Sequence, residues 1–412
     1  MPSDLVFDWN RERPGGVPQR RALEFDDETL RDGVQSPSVR IPPVDEQLEL
    51  VRHMVRAGIG SADVGMPGSG ARAAADAESL CRAIVAEQLA IRPNCAARTV
   101  AADIEAVLAI QQRIGAPIEI ALFLGASPIR CRVEGWSVDD LVRRTESAVA
   151  LAVRHSAPVV FVTEDTTRSH PDTLRRVLSA AAENGARRLC VADTAGHATP
   201  LTVIRVIRFV QRVLGEWGRR EIGLDWHGHN DRGLAVANAL TAAWAGASRI
   251  HATALGVGER VGNPPMEQVI ANAALEGWVD RDIRALPGYA ACAARILGVP
   301  IPFEAPVVGR DAFRTTTGVH AAAIAKARAA EDESLVDLVY SSLPASWLGR
   351  AQVVEVGPQS GASNVRLWLA DNGFAVGART VAAILAAAKR SNRPLSDDEL
   401  LHLAHEAERG RR

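Results

Sequence analysis

Between about residue 22 and residue 276 the chain repeats one pattern eight times: a short β-like run, then a longer helix-like stretch. The strand candidates are ALEFDD (22–27), SADVGM (61–66), PNCAAR (93–98), IEIALFL (118–124), PVVFVT (158–163), RLCVAD (188–193), IGLDWH (222–227) and IHATAL (250–255). Between them lie alanine-rich amphipathic segments such as DEQLELVRHMVRAG, ADIEAVLAIQQRIG and DTLRRVLSAAAENG. Their apolar residues recur at helical spacing, and each closes on a glycine of the kind that ends helices. This alternation predicts an α/β fold, a (βα)8 TIM barrel followed by a C-terminal helical region. A doubly wound open sheet is the rival with the same alternation.

The polar residues favour the barrel, whose active sites form at the C-terminal ends of the strands. Those ends carry Glu28-Thr29-Leu30-Arg31-Asp32-Gly33, Asp63, Arg98, Ser127, Glu164-Asp165, Asp193-Thr194, His227 with His229, and the stretch from Gly256. Nearly every strand thus delivers a polar group to one rim. The expected organisation is an N-terminal extension (1–20), a catalytic barrel (21–285) and helical subdomains (286–412) that cover the barrel mouth or build a dimer.

Composition removes several functions. Forty-seven basic and 49 acidic side chains leave a net charge of −2, without the basic excess of a general nucleic-acid binder. No apolar run approaches the roughly 20 residues that cross a bilayer, and the N-terminus lacks the apolar core of a secretory leader. The cytoplasm is the expected compartment. Cys81, Cys95, Cys131, Cys190 and Cys292 show no CxxC spacing and read as reduced thiols. The only lysines are Lys326 and Lys389, so a site built from residues 1–325 has no amine for a Schiff base and no phosphate-loop lysine. That excludes imine-forming aldolases and P-loop nucleotide hydrolases.

Asp225-Trp226-His227-Gly228-His229-Asn230-Asp231 offers different chemistry. Alternate residues of a strand share a face, so His227 and His229 project together into the mouth. One carboxylate added to two imidazoles makes a divalent-metal site with positions left for substrate. Asp32, at the end of the first strand, is the expected third ligand. Arg31 beside it would stabilise oxyanion charge on a chelated 2-oxo acid, or pair with Glu164 or Asp165. The loop Gly256-Val257-Gly258-Glu259-Arg260-Val261-Gly262-Asn263 is either a tight structural turn or the means of bringing Asn263 near the metal. In the helical region His320 and Tyr340 are sparse polar features; His320 is a candidate general base only if it reaches the mouth.

DETLRDGVQSP, EDTTR, DTAGHATP, HGHNDRGLAVANALTAAWAGA and GVGERVGN together resemble the metal-dependent acyl-CoA condensing barrels, the family of 2-isopropylmalate, homocitrate and citramalate synthases. GRDAFRTTTGVH, Tyr340 and VGPQSGASNVRLWLADNG resemble that family's helical subdomains, so the likeness runs from about residue 22 to 370. The resemblance implies that Asp32, His227 and His229 bind a divalent ion (zinc, manganese or magnesium), with Asn263 near or on it. It implies that Arg31 holds the keto oxygen of a 2-oxo acid, that Gln35 lies close by, and that Thr194 contacts the carboxylate. Arg98, Ser127 and Arg168 would be further substrate contacts. Glu164, His320 and Tyr340 would transfer protons, and a homodimer with acetyl-CoA as cosubstrate is expected.

Two departures narrow the substrate. Homocitrate synthases carry a histidine two residues before the third-strand arginine, where it reads the distal carboxylate of 2-oxoglutarate. Here Ala96 precedes Arg98 at that spacing. An uncharged acceptor such as 2-oxoisovalerate is therefore expected. Leucine-pathway synthases usually carry a long C-terminal regulatory domain, for which 412 residues leave little room, so feedback control by that route is not expected. A hydroxyacyl-CoA lyase on the same barrel is the competing reading. Such lyases place a catalytic cysteine in the loop after the last strand, and GVGERVGN has none. An amidohydrolase would carry its HxH pair on the first strand rather than the seventh.

Overall fold

The computed structural model describes residues 8, 10, 23–280 and 282–409. Apart from Asp8 and Asn10, the expected extension (1–20) lies outside the described residues. Eight parallel strands close into a barrel in sequence order. They are β1 (Glu24–Asp27), β2 (Ser61–Asp63), β3 (Arg92–Arg98), β4 (Glu119–Gly125), β5 (Val159–Glu164), β6 (Arg188–Asp193), β7 (Gly223–Gly228) and β8 (Arg249–Ala252). Closure is made where β1 pairs with β8, from Glu24 opposite Arg249 to Asp27 opposite Ala252. The rival open sheet is thereby excluded.

Helices α1 (Val44–Arg56), α2 (Ala71–Ala86), α3 (Ala101–Ile114), α4 (Pro128–Glu134), α5 (Val138–Arg154), α6 (Pro171–Glu183), α7 (Pro200–Glu216), α8 (Ala235–Ala245) and α9 (Met266–Leu275) flank the strands. Their starts follow local chemistry. Ser137 accepts from the backbone N–H of Asp140, whose carboxylate accepts from that of Ser137, a reciprocal cap on α5. Proline opens α4, α6 and α7 at positions that have no intrahelical partner for an N–H.

Parallel strands covered by helices read as apolar runs, and here the outward residues Phe25, Phe161, Leu224, Trp226 and Ile250 are buried. The inward residues are unusual. Barrel interiors are generally filled by branched aliphatic side chains, yet this one holds Asp26, Asn94, Asp225 and Arg249. Arg249, only 1% exposed, lies 2.7 Å from both Asp225 and Glu119, and Arg188 donates to Asp225 at 2.7 Å. Such buried charges hold only as a mutually compensated set.

Two compact units emerge. The barrel unit takes residues up to 281 and Tyr289–Val299, so most of α10 (Leu286–Leu297) belongs with the barrel. There the Tyr289 hydroxyl donates to Asp27. The second unit holds residues 282–288 and 300–412. Within it, α11 (Gly318–Ala329), α12 (Glu333–Leu338), α13 (Ala362–Asp371), α14 (Ala378–Arg390) and α15 (Asp397–Arg409) accompany a two-stranded parallel pair, β9 (Arg314–Thr315) and β10 (Val353–Val354). Its core is built around Val365, Leu369, Ile384 and Leu400. Among the described residues no helix is long and apolar enough to cross a membrane.

Candidate metal centre and active site

His227 lies on β7 and His229 immediately beyond it, so the two-residue repeat aims both imidazoles inward. Their Nε2 atoms are 3.2 Å apart, and Asp32 Oδ2 is 3.9 Å from the first and 3.7 Å from the second. All three side chains are buried. His227 Nδ1 faces Glu28 Oε2 at 3.2 Å, and His229 Nδ1 faces the carbonyl of Gly262 at 3.2 Å. Each Nδ1 thus faces an oxygen acceptor, and each Nε2 is turned toward the other and toward Asp32 Oδ2. Burial and the neighbouring His227 push the His229 pKa down to about 4, which keeps that ring a neutral ligand. Burial opposes charge on Asp32, but the Arg31 guanidinium outweighs it and holds the carboxyl below its usual range. Two imidazole nitrogens and one carboxylate oxygen, all within 4.8 Å of one another, fit a divalent ion with open positions for substrate.

The loop after β8 arranges Asp32. Asn263 donates to Asp32 Oδ1 at 2.8 Å and to the carbonyl of Val257 at 3.1 Å, while the backbone N–H of Glu259 donates to Oδ1 at 3.2 Å. With Oδ1 held, Oδ2 is the oxygen left facing the imidazoles. Asn263 thus lies beside Asp32, with its amide spent on the carboxylate and the loop. A Cβ on Gly258 (φ +155°) would fall 2.1 Å from Asn263 Nδ2 and 2.6 Å from Asp32 Oδ1. Arg260 ties the loop to the segment that follows β7 by pairing with Asp231 at 2.8 and 3.0 Å.

Arg31 is gripped on three sides. Its guanidinium donates to Asp63 at 2.9 Å, to Asp32 at 3.0 Å and to Glu28. Burial disfavours its charge, but the three carboxylates keep the pKa far above the ordinary arginine value. Burial raises Asp63, aided by the charges of Glu28 and Asp26 and opposed by Arg31.

These groups open onto a cavity of about 240 Å³. Gln35, Glu164 and Thr194 line it, together with an apolar wall of Ala96, Ala121, Phe123, Val160, Val162 and Ala192. Burial raises the Glu164 carboxyl despite the nearby Arg130 charge. Thr194 Oγ1 accepts from the backbone N–H of Asp165 at 2.8 Å.

Three expected substrate contacts are engaged elsewhere and do not line this cavity. Arg98 makes a two-pronged pair with Asp103 at 2.7 and 2.9 Å, because the buried Asp103 in the first turn of α3 captures its guanidinium. Ser127 accepts from the backbone N–H of Arg130 as the cap of α4. Arg168 closes on Asp165 at 2.7 and 2.8 Å. His320 and Tyr340 belong to the second unit, where their rings stack 3.8 Å apart and His320 Nδ1 lies 3.3 Å from Thr315 Oγ1.

Sequence reasoning passed over Glu28, Asp63 and His251 as working members of the site. The two-residue repeat was the available signal, since it places Glu28 inward after Asp26 and His251 inward after Arg249. Burial works against a charged His251, but bonds to Asp225 and Glu28 push its pKa up to about 10. Glu28 thus pairs with both His227 and His251, whose ligand atoms also lie within 4.8 Å of one another and of its carboxylate. A third group, Glu49, His53 and Cys292, has its carboxylate already paired with Arg295 at 2.6 Å.

Comparison with known proteins agrees with this architecture. A Methanopyrus kandleri protein bearing the name of a 2-isopropylmalate synthase is 33% identical over 305 residues, which cover 73% of this chain and 58% of that protein. A second from the same organism, named as a citramalate synthase, is 30% identical over 367 residues, 88% of this chain and 68% of that one. The chain spans about 58–60% of the length of several such relatives. A Pseudomonas aeruginosa hydroxymethylglutaryl-CoA lyase structure shares the fold with a TM-score of 0.57 at 21% identity, over 69% of this chain and 95% of the lyase. The HMGL-like family model matches residues 22–286, from before β1 to beyond α9. A match that spans the whole barrel makes this chain a member of the HMGL-like family.

Proposed function

We propose that this chain condenses acetyl-CoA with an uncharged 2-oxo acid, giving a 2-alkylmalate-type product and free CoA. The observation that carries the reading is the convergence of Asp32 Oδ2 and both histidine Nε2 atoms beside Arg31, at the edge of a half-apolar cavity. A divalent ion bound by Asp32, His227 and His229 supplies Lewis acidity to the keto oxygen of the acceptor.

The side chains do the rest. Arg31 donates to the keto oxygen as it gains negative charge, and its carboxylate partners fix the direction of the guanidinium. Thr194 and Gln35 orient the acceptor's carboxylate. The apolar wall receives its side chain, where a charged group would be left without a partner. A base removes a methyl proton from acetyl-CoA, the carbanion adds to the carbonyl carbon, and water then cleaves the thioester to release the thiol. Glu164, whose carboxyl burial raises above its usual range, serves this sequence with His320 and Tyr340. Arg98, Ser127 and Arg168 are left out of the pocket because their polar groups are already committed.

The test is thiol release from acetyl-CoA across a panel of 2-oxo acids. We expect 2-oxoisovalerate and similar aliphatic acids to be the best acceptors. Chelation or His227→Ala should abolish turnover with the fold intact. A clear preference for 2-oxoglutarate overturns the acceptor assignment. Cleavage of a hydroxyacyl-CoA with no acceptor-dependent thiol release overturns the condensation itself.

A further inference from the structure

Behind the proposed metal ligands stands a buried carboxylate that touches three members of the site at once. Glu28, 4% exposed, lies just past β1 with its side chain turned inward. Oε1 faces His251 Nδ1 across a 2.5 Å contact. Oε2 accepts from Arg31 and lies 3.2 Å from His227 Nδ1. His251 is fixed in turn by Asp225, 3.3 Å from its other nitrogen. These contacts join β1, β7 and β8 through a single side chain.

We propose that Glu28 is a positioning residue for the metal centre: it holds His227 in the Nδ1–H form and sets the plane of Arg31, while His251 anchors it from behind. The inference rests on the metal-site reading above but is separable from it. An imidazole can present the Nε2 lone pair only if its proton sits on Nδ1, and a carboxylate acceptor at Nδ1 favours that form. His229 achieves the same state with a backbone carbonyl, which no substitution can remove. His227 depends on a side chain, so the Glu28 contact is the replaceable half of the arrangement. A carboxylate is required because three donors converge on two oxygens, each of which accepts freely. A glutamine would turn an NH₂ group toward one of those donors and leave it facing another donor.

Two measurements test this without relying on turnover. The first is selective ¹⁵N-histidine NMR of the unaltered metal-free protein, with His227 assigned by comparison with His227→Gln. We expect the Nδ1–H tautomer at His227, and an Nε2–H ring there overturns the proposal. The second is cobalt(II) affinity, read from the visible d–d bands. Glu28→Gln should weaken binding about 10- to 100-fold, and Glu28→Asp, which keeps the charge, should recover part of the loss. Far-UV circular dichroism and thermal melts establish that each variant is folded. A folded Glu28→Gln protein with parental cobalt affinity and an unchanged His227 tautomer refutes the role of Glu28. If Glu28→Gln does not fold, the tautomer in the unaltered protein decides. His227→Ala is the control for the underlying reading: should it bind cobalt as tightly as the parent, the metal centre itself falls.

Discussion

Glu267 shows how burial sets a charge state outside the chemistry. Its side chain is 1% exposed and accepts from the backbone N–H of Leu255 at 3.1 Å. That contact fixes Leu255, which sits at φ 57°, at the root of the loop that grips Asp32. Burial, only partly offset by backbone hydrogen bonds, pushes the carboxyl from 4.5 up to about 7. The folded protein therefore keeps a proton between about pH 4.5 and 7 that the unfolded chain has released. Stability attributable to Glu267 falls as pH rises through that window and is level above it, by at most on the order of 3 kcal/mol. Glu267→Gln should flatten this part of the profile. Urea unfolding of both proteins from pH 4.5 to 7.5 checks it, and an equal slope in the variant removes the assignment. Asp27, pushed up to about 6 mainly by burial, slopes the same way in both proteins and largely cancels from the difference.

The loop from Gly256 to Asn263 shows what a short unpatterned segment contributes. Its glycines at 258 and 262 have φ of +155° and +86°, and a Cβ on Gly262 would lie 1.8 Å from the carbonyl oxygen of Gly256. Backbone of this kind favours glycine, because other side chains strain there. Gly258→Ala would drive its methyl into the Asn263–Asp32 hydrogen bond. We expect cobalt affinity to fall about tenfold or more with the barrel still folded, as for loss of an outer partner of a ligand. Isothermal titration gives the result, and parental affinity would mean that the loop yields without moving Asp32. The strands were far easier to read. Their apolar runs and the helical spacing between them are local properties, so all eight candidates fall on the barrel's strands. What periodicity cannot carry is competition for a polar side chain. Arg98, Ser127 and Arg168 all sit where the rim pattern puts them, yet Asp103, the start of α4 and Asp165 claim their polar groups first.

The two units divide the proposed chemistry between them. Asp32, His227, His229, Arg31 and Glu164 lie in the barrel unit, whereas His320 and Tyr340 lie in the other. A chain ending at Val299 should bind cobalt, because every proposed ligand and its supporting loop is retained. It should release no thiol from acetyl-CoA, because two of the proposed proton-transfer groups are gone. Absorbance titration and a thiol assay on the same preparation read both properties. Full turnover by that chain would remove His320 and Tyr340 from the mechanism.

The sequence alone determined the eight strand–helix repeats and their polar strand ends, because periods of 2 and 3.6 residues are written among near neighbours and need no partner to be read, whereas closure into a barrel was decided by β1 pairing with β8. It also supplied the HxH pair, whose members are two positions apart. Only the folded chain decided how those groups engage: Asn263 reaches Asp32 across 231 residues and Glu28 reaches His251 across 223. The facing of two imidazoles, the carboxylate oxygen turned toward them and the guanidinium that is already taken all follow from contacts between distant residues. Such contacts exist only once the last strand has closed against the first.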